Sequence, residues 1–222
     1  MTETEARQED ASHAVRMDRM YRHQRHIYDL TRKYYLLGRD RAIEGLQLPS
    51  RGRLLEVGCG TGRNLLAAHR RYPEARLYGL DISAQMLASA HRHFDGMAIT
   101  PRLLRTDATR FSPADFGTDG FDRVLISYAL SMIPDWEGAI DTGIAALAPG
   151  GSLHIVDFGQ QEGLPRWFRS FLVGWLRRFH VTPRAGLQRA LEERLEQADA
   201  DMIFEEIFGG YAWHAILRKR GG

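Results

Sequence analysis

The sequence predicts an α/β domain: a mostly parallel, seven-stranded sheet with helices on both faces, a C-terminal antiparallel hairpin and an N-terminal helical lid. Three observations predict it. After residue 50, short apolar runs alternate with helix-length amphipathic segments, the pattern of parallel strands joined by helical crossovers. The first run, "GRLLEVGCG", closes on glycines and opens a helix. The last stretch, "DMIFEEIF-GG-YAWHAILRK", reads as two strands joined at Gly209-Gly210, a hairpin signal.

Each element has its own local reason. "GRLLEVGCG" is a short apolar run, so a buried strand. "TGRNLLAAHRRYP" is a helix stopped by Pro73. "ARLYGLD" is the second strand, and "SAQMLASAHRHF" a helix with Ser83 as N-cap. "PRLLRTDA" and "FDRVLISYAL" are the third and fourth strands. "DWEGAIDTGIAALAPGG" is a helix with Asp135 near its start and Pro149-Gly150-Gly151 at its end, and "SLHIVDF" is the fifth strand. Residues 1–50 are expected as the lid, and 51–222 as the main domain with an amphipathic insertion at about 160–200.

Composition bounds the function. The chain has 222 residues, 44% of them hydrophobic, enough for one large domain with a real core. Cys59 is the single cysteine, which excludes an intrachain disulfide and fits a reducing cytosol. The start, "MTETEARQEDASH", lacks the apolar segment of a secretory signal. No apolar run long enough to span a bilayer occurs. The net charge is only +2, but of the 30 basic residues only Lys33 and Lys219 are lysines. Such a bias follows from genome composition, or from a need for two-pronged contacts to carboxylate or phosphate.

"LLEVGCGTGRN" sets Gly58, Gly60 and Gly62 between a strand and a helix, where an open sheet takes its ligand. Asp81 follows nineteen residues past Gly62, at the end of the second strand, where an acid can hold both ribose hydroxyls. The dinucleotide fingerprint seats a pyrophosphate on G-x-G-x-x-G. Here the third glycine comes one place early and Glu56 precedes the turn; an acid there repels pyrophosphate and suits an ammonium group. E-x-G-x-G-x-G with a later Asp resembles motif I of the class I S-adenosylmethionine-dependent methyltransferases, from roughly Arg51 onward. The resemblance implies a Rossmann-like methyltransferase fold and S-adenosylmethionine as cofactor. It implies that Glu56 or its neighbourhood serves the methionine amino group, and that the glycines pack against the methionyl and ribose portion. Asp81 would hold the ribose, Asp107-Ala108 contact adenine, and Ser127 lie under the sulfonium end. Asn64, Ile82 and Met86 complete the expected cofactor residues.

After the fourth strand, "SYALSMIP" lacks the Asn/Asp-Pro-Pro-aromatic cluster of enzymes that methylate base amines. No basic patch interleaved with aromatics lies on the strands, so nucleic acid is not an expected partner. The pairs His23/His26 and His91/His93 have no cysteine nearby and no H-E-x-x-H pattern, so no metal is expected. Cys59 is expected to be packed rather than reactive.

The segment "YRHQRHIYDLTRKYYLLGRDR" holds four tyrosines. From Arg16 to Arg41 there are eight basic residues against three acids. Such a run is a solvated helix face, or a lid that also meets an anionic surface. The segment closely resembles the N-terminal signature of the N-methylating component of betaine-lipid synthesis. That resemblance implies three methylations of diacylglycerylhomoserine to diacylglyceryl-N,N,N-trimethylhomoserine. It places Tyr28, Tyr35 and Arg39 over the methionine end of the cofactor, without settling which tyrosine faces the amine. Aromatic faces tolerate a growing quaternary ammonium, and Arg39 or Arg41 could meet the homoserine carboxylate.

In "PRWFRSFLVGWLRRFH", Phe168, Phe171, Leu172, Trp175, Leu176 and Phe179 share one helical face. Arg166, Arg169, Arg177 and His180 share the other. This suits an interfacial helix, or a helix packing its apolar face on the domain. The expectation is a peripheral enzyme at the inner face of the cytoplasmic membrane, with the enzyme that makes the homoserine lipid as a possible partner. Phosphatidylethanolamine or quinone methylation is the nearest rival, and a non-catalytic cofactor-binding partner the rival of another class.

Overall fold

The computed structural model describes residues 36–178 and 181–221. Among the described residues, seven strands form one sheet in the order β3-β2-β1-β4-β5-β7-β6. They are β1 Arg53–Val57, β2 Arg76–Asp81, β3 Arg102–Arg105, β4 Phe121–Ser127, β5 Leu147–Phe158, β6 Ala200–Ile207 and β7 Ala212–Lys219. The first five strands run parallel and β7 pairs antiparallel with both β5 and β6. The order reverses at β1, with β2 on one side and β4 on the other, the point where an open sheet leaves a crevice at its carboxyl edge.

The helices described over the sheet are α1 Arg39–Glu44, α2 Arg63–Arg71, α3 Ala84–Phe94, α4 Trp136–Ala145, α5 Arg166–Arg178, α6 Leu187–Glu192 and α7 Leu195–Ala198. One core joins Ile43 and Leu46 to Leu65, Leu87, Phe94, Leu172 and Leu176, so α1, α2, α3 and α5 share a face. The other joins Phe116 and Phe121 to Ile140, Ile144, Leu187 and Leu191, placing α4 and α6 opposite. Ser83 caps α3 through the Met86 N–H, and Asp135 caps α4 through the Gly138 N–H.

Three parts of the sequence reading are refined. The stretch Leu147–Gly151, read as the end of a helix, belongs to β5, because Leu147 already pairs with Phe121 and the ladder absorbs Pro149-Gly150-Gly151 as an irregularity before Ser152. Helices α6 and α7 were not read from the sequence, and Arg194 ties them to α4 by bonding Glu137, Asp141 and the Ala190 carbonyl. The apolar face of α5 is split: Leu172 and Leu176 are buried, while Trp167 is 75% and Phe171 66% exposed.

Of the expected lid, the described part packs firmly. Ala42, Ile43 and Leu46 of α1 and its following turn are buried. Gly38 precedes α1 at φ 84°, a dihedral that side-chain-bearing residues rarely adopt, and a Cβ there would press on Ile207 Cδ1. The β6–β7 turn is unusual: Phe208 stands in the left-handed region at φ 54° and is 58% exposed.

Candidate cofactor and methyl-transfer site

The glycine turn is built by its own backbone. Gly58, Gly60 and Gly62 have φ of 70°, 53° and 74°, which side-chain-bearing residues rarely adopt. The Cys59 N–H donates to the Leu80 carbonyl at 2.8 Å, which extends the β1–β2 ladder into the turn. A Cβ on Gly58 would meet Ala129 Cβ at 2.7 Å, so the turn also lies hard against the segment after β4. Gly62 serves helix packing instead. A Cβ there would press on Phe94 and Ala90, so its bare backbone lets α3 close on α2. His93 of α3 bonds the Thr61 carbonyl at 2.8 Å, and His91 bonds the Leu87 carbonyl.

Two acids flank this turn. Glu56 is 1% exposed and accepts from Asn64 Nδ2 at 2.6 Å. Asp81 accepts the Gly60 N–H at 2.9 Å on Oδ2 and the Ser83 N–H at 2.8 Å on Oδ1. Both oxygens are thus aimed by backbone donors. Asp107 is held likewise, its Oδ1 taking the Thr109 N–H and hydroxyl.

Glu56, Gly58, Cys59, Thr61, Asn64 and Ser127 line one crevice together with Leu36, Arg39 and Arg63. The Ser127 hydroxyl is buried there without a protein partner among the described residues, a polar atom that calls for a ligand. Arg39 forms a pair with Asp40 at 3.0 Å, and Asp40 is 78% exposed. Of the other expected residues, Asp81 and Ile82 sit at the end of β2. Ala108 and Met86 are packed in the two cores. Tyr28 and Tyr35 lie outside the described residues, as does the Arg16–Arg25 helix face.

Burial, with Asp81 and Glu56 beside it, pushes the Cys59 thiol well up, so it stays protonated and unreactive.

The sequence reading missed Tyr128. It follows Ser127 at φ 53°, is 2% exposed, packs edge-on against Phe158 at 4.7 Å, and its hydroxyl donates to the Leu37 carbonyl. It therefore fastens the Leu36–Gly38 segment over the crevice. The loop it starts is pinned from below. Buried Asp157 accepts the Ser131 N–H at 3.1 Å, and Arg184 donates to the Leu130 and Ile133 carbonyls. The only signal for this in the sequence was a tyrosine next to the expected Ser127.

The geometry fits S-adenosylmethionine: an acid for its amino group, a second acid for its ribose, and an unadorned turn between them. The comparison with known families agrees, since residues 54–151 match the family described as a methyltransferase domain. The cofactor is S-adenosylmethionine, and the fold is the Rossmann-like one of the class I enzymes.

Curated proteins similar to the chain have several activities. The chain is 31% identical over 136 residues to demethylmenaquinone methyltransferase of Thermus thermophilus, covering 59% of this chain and 60% of the relative. It is 34% identical over 116 residues to phosphatidylethanolamine N-methyltransferase of Cereibacter sphaeroides, covering 50% and 54%. The chain thus spans little more than half the length of these relatives. Among solved structures, the plantazolicin methyltransferase BpumL in complex with SAH superposes with a TM-score of 0.66, covering 96% of this chain and 98% of that one at 16% identity. That likeness is one of fold.

Proposed function

We propose that the protein is a methyltransferase that adds three methyl groups to the amine of diacylglycerylhomoserine, giving the betaine lipid diacylglyceryltrimethylhomoserine. The observation that carries this reading is Arg39. It lines the crevice beside Ser127, at the end of the segment that resembles the betaine-lipid enzymes. Its partner Asp40 is solvent-exposed, and such a pair is worth little. Arg39 can exchange it for the homoserine carboxylate at small cost.

Bound S-adenosylmethionine supplies a methyl on a positive sulfur for in-line transfer. The protein's part is to bring a neutral amine to that methyl and keep it aligned, which is worth about 7–11 kcal/mol in favourable cases. Each transfer takes one proton from the substrate ammonium, and the last leaves a quaternary nitrogen. The loop that Tyr128, Asp157 and Arg184 hold rigid forms the wall on the acceptor side. The substrate lies in a membrane, so the enzyme acts as a peripheral protein at the cytoplasmic face; the enzyme that makes the homoserine lipid is its natural partner. No helix among the described residues is long and apolar enough to cross a bilayer.

A second reading, phosphatidylethanolamine N-methylation, is favoured by the Cereibacter sphaeroides relative. The two differ at Arg39, because phosphatidylethanolamine brings no homoserine carboxylate. The test is mass spectrometry of each lipid in detergent micelles with the purified protein and S-adenosylmethionine. The proposal expects mono-, di- and trimethylated homoserine lipid. Arg39→Gln should raise KM about tenfold or more for that lipid, the loss of one charge-assisted contact. Transfer to phosphatidylethanolamine alone, or to a quinone precursor alone, sinks it.

A further inference from the structure

Among the described residues, the large hydrophobic side chains left in solvent gather mostly at one edge. Trp167 and Phe171 lie four residues apart on the outer face of α5, opposite buried Leu172 and Leu176. Phe208 crowns the β6–β7 turn, and Leu37 is 38% exposed beside Gly38. Hydrogen bonds and one packing contact bring three of these parts together. Gly163, just before α5, donates to the Gly209 carbonyl, and Gln161 donates to the Gly210 carbonyl. Gly38 lies against Ile207, the neighbour of Phe208. Strands β5 and β6 both end here, so this rim is at the carboxyl edge of the sheet, the same edge as the crevice.

The charge around it has one sign on the helix. Arg166, Arg169, Arg177 and Arg178 are exposed, and α5 contains no acid. Two protruding aromatics on a helix that carries four arginines and no acid make a surface of one charge sign, complementary to an anionic one. They suit an interface in which rings enter the acyl boundary and guanidinium groups reach lipid phosphates.

We propose that Trp167, Phe171 and Phe208, with the α5 arginines, form the surface by which this protein docks on an anionic phospholipid bilayer, turning the crevice toward the membrane. The proposal rests on the reading of a lipid substrate for its purpose. The surface itself is argued from exposure and charge. Docking places Leu37 and the Tyr128-held segment next to the bilayer, so a headgroup reaches Arg39 without the lipid leaving the membrane.

The test uses the full chain and flotation with vesicles of phosphatidylcholine, with and without phosphatidylglycerol. Binding is expected with phosphatidylglycerol and should weaken as salt rises. The combined variant Trp167→Ser, Phe171→Ser, Phe208→Ser should lose on the order of tenfold or more of that binding. Arg177→Glu with Arg178→Glu should lose the dependence on phosphatidylglycerol. S-adenosylmethionine affinity reports folding and should be unchanged in both. Undiminished vesicle binding by the folded triple variant overturns the proposal. So does a wild-type chain that ignores vesicles but forms a dimer that the triple variant abolishes, since a second copy would then cover the rim. The substrate reading fails separately. If no amine lipid is methylated in micelles while the variants still lose vesicle binding, the surface stands and the substrate is wrong.

Discussion

Asp81 gives one oxygen to the Gly60 N–H and the other to the Ser83 N–H. The same carboxylate shapes the turn, and we propose that it also meets the ribose. Asp81→Ala should weaken S-adenosylmethionine and its demethylated product by about 1.5–3 kcal/mol, roughly ten- to hundredfold in Kd. Calorimetry showing equal affinity would remove the ribose role. Tyr128→Phe keeps the packing on Phe158 and removes only the bond to the Leu37 carbonyl. The expected result is faster release of the demethylated product, severalfold for a bond worth about 1 kcal/mol. Stopped-flow release at the wild-type rate would deny Tyr128 a hold on that segment. Asp81 was legible in the sequence because its place depends on one strand and one turn. Tyr128 was not, since its partner lies 91 residues away and only the folded sheet brings them together.

On β5, two buried groups titrate in opposite senses. Burial, aided by His214, Arg123 and Arg218, pushes His154 from 6.5 down to about 3. The folded state prefers the neutral ring. Its stabilising contribution is complete above the unfolded value of 6.5 and is lost as pH falls toward about 3. Burial raises Asp157 from 3.8 to about 6, against the N–H donors of Phe158 and Ser131. The folded state prefers the protonated carboxyl, so that contribution is complete below 3.8 and lost as pH rises through 6. Between about 3.8 and 6 the two contributions offset each other, and the histidine's loss is unopposed only just below 6.5 and again below 3.8. Urea unfolding across this range checks it: His154→Leu should flatten the acid limb, and an unchanged slope would place the acid sensitivity elsewhere. The sequence shows at this scale what period can and cannot reveal. The period of α5 was plain, but which apolar residues turn inward was decided by the neighbouring core, and it chose Leu172 and Leu176 over Phe171. The early start of β5 was hidden because Pro149-Gly150-Gly151 reads locally as a stop, while the pairing of Leu147 with Phe121 is long-range.

As a whole, the molecule separates two binding problems along one edge. The cofactor is proposed to bind at the switch point around β1, and the lipid to arrive from the rim around α5 and the hairpin. The fold class, the strand series and the glycine turn with its two acids were readable because each is local and periodic. The rim was not, because it joins Leu37, Trp167 and Phe208 from three distant parts of the chain. NAD should fail to displace S-adenosylmethionine in a competition titration, since Glu56 faces where a pyrophosphate would need donors; efficient displacement would undo the cofactor-site assignment. The left-handed backbone of Phe208 carries a consequence for evolution in the laboratory. A bulky residue at φ 54° costs about 1–2 kcal/mol of strain, and its ring gains nothing from the core. Phe208→Asn should therefore raise the melting temperature while weakening capture by anionic vesicles. A library selected for heat resistance alone would discard this phenylalanine early, and would return a hardier protein that, on the docking proposed above, no longer finds the bilayer.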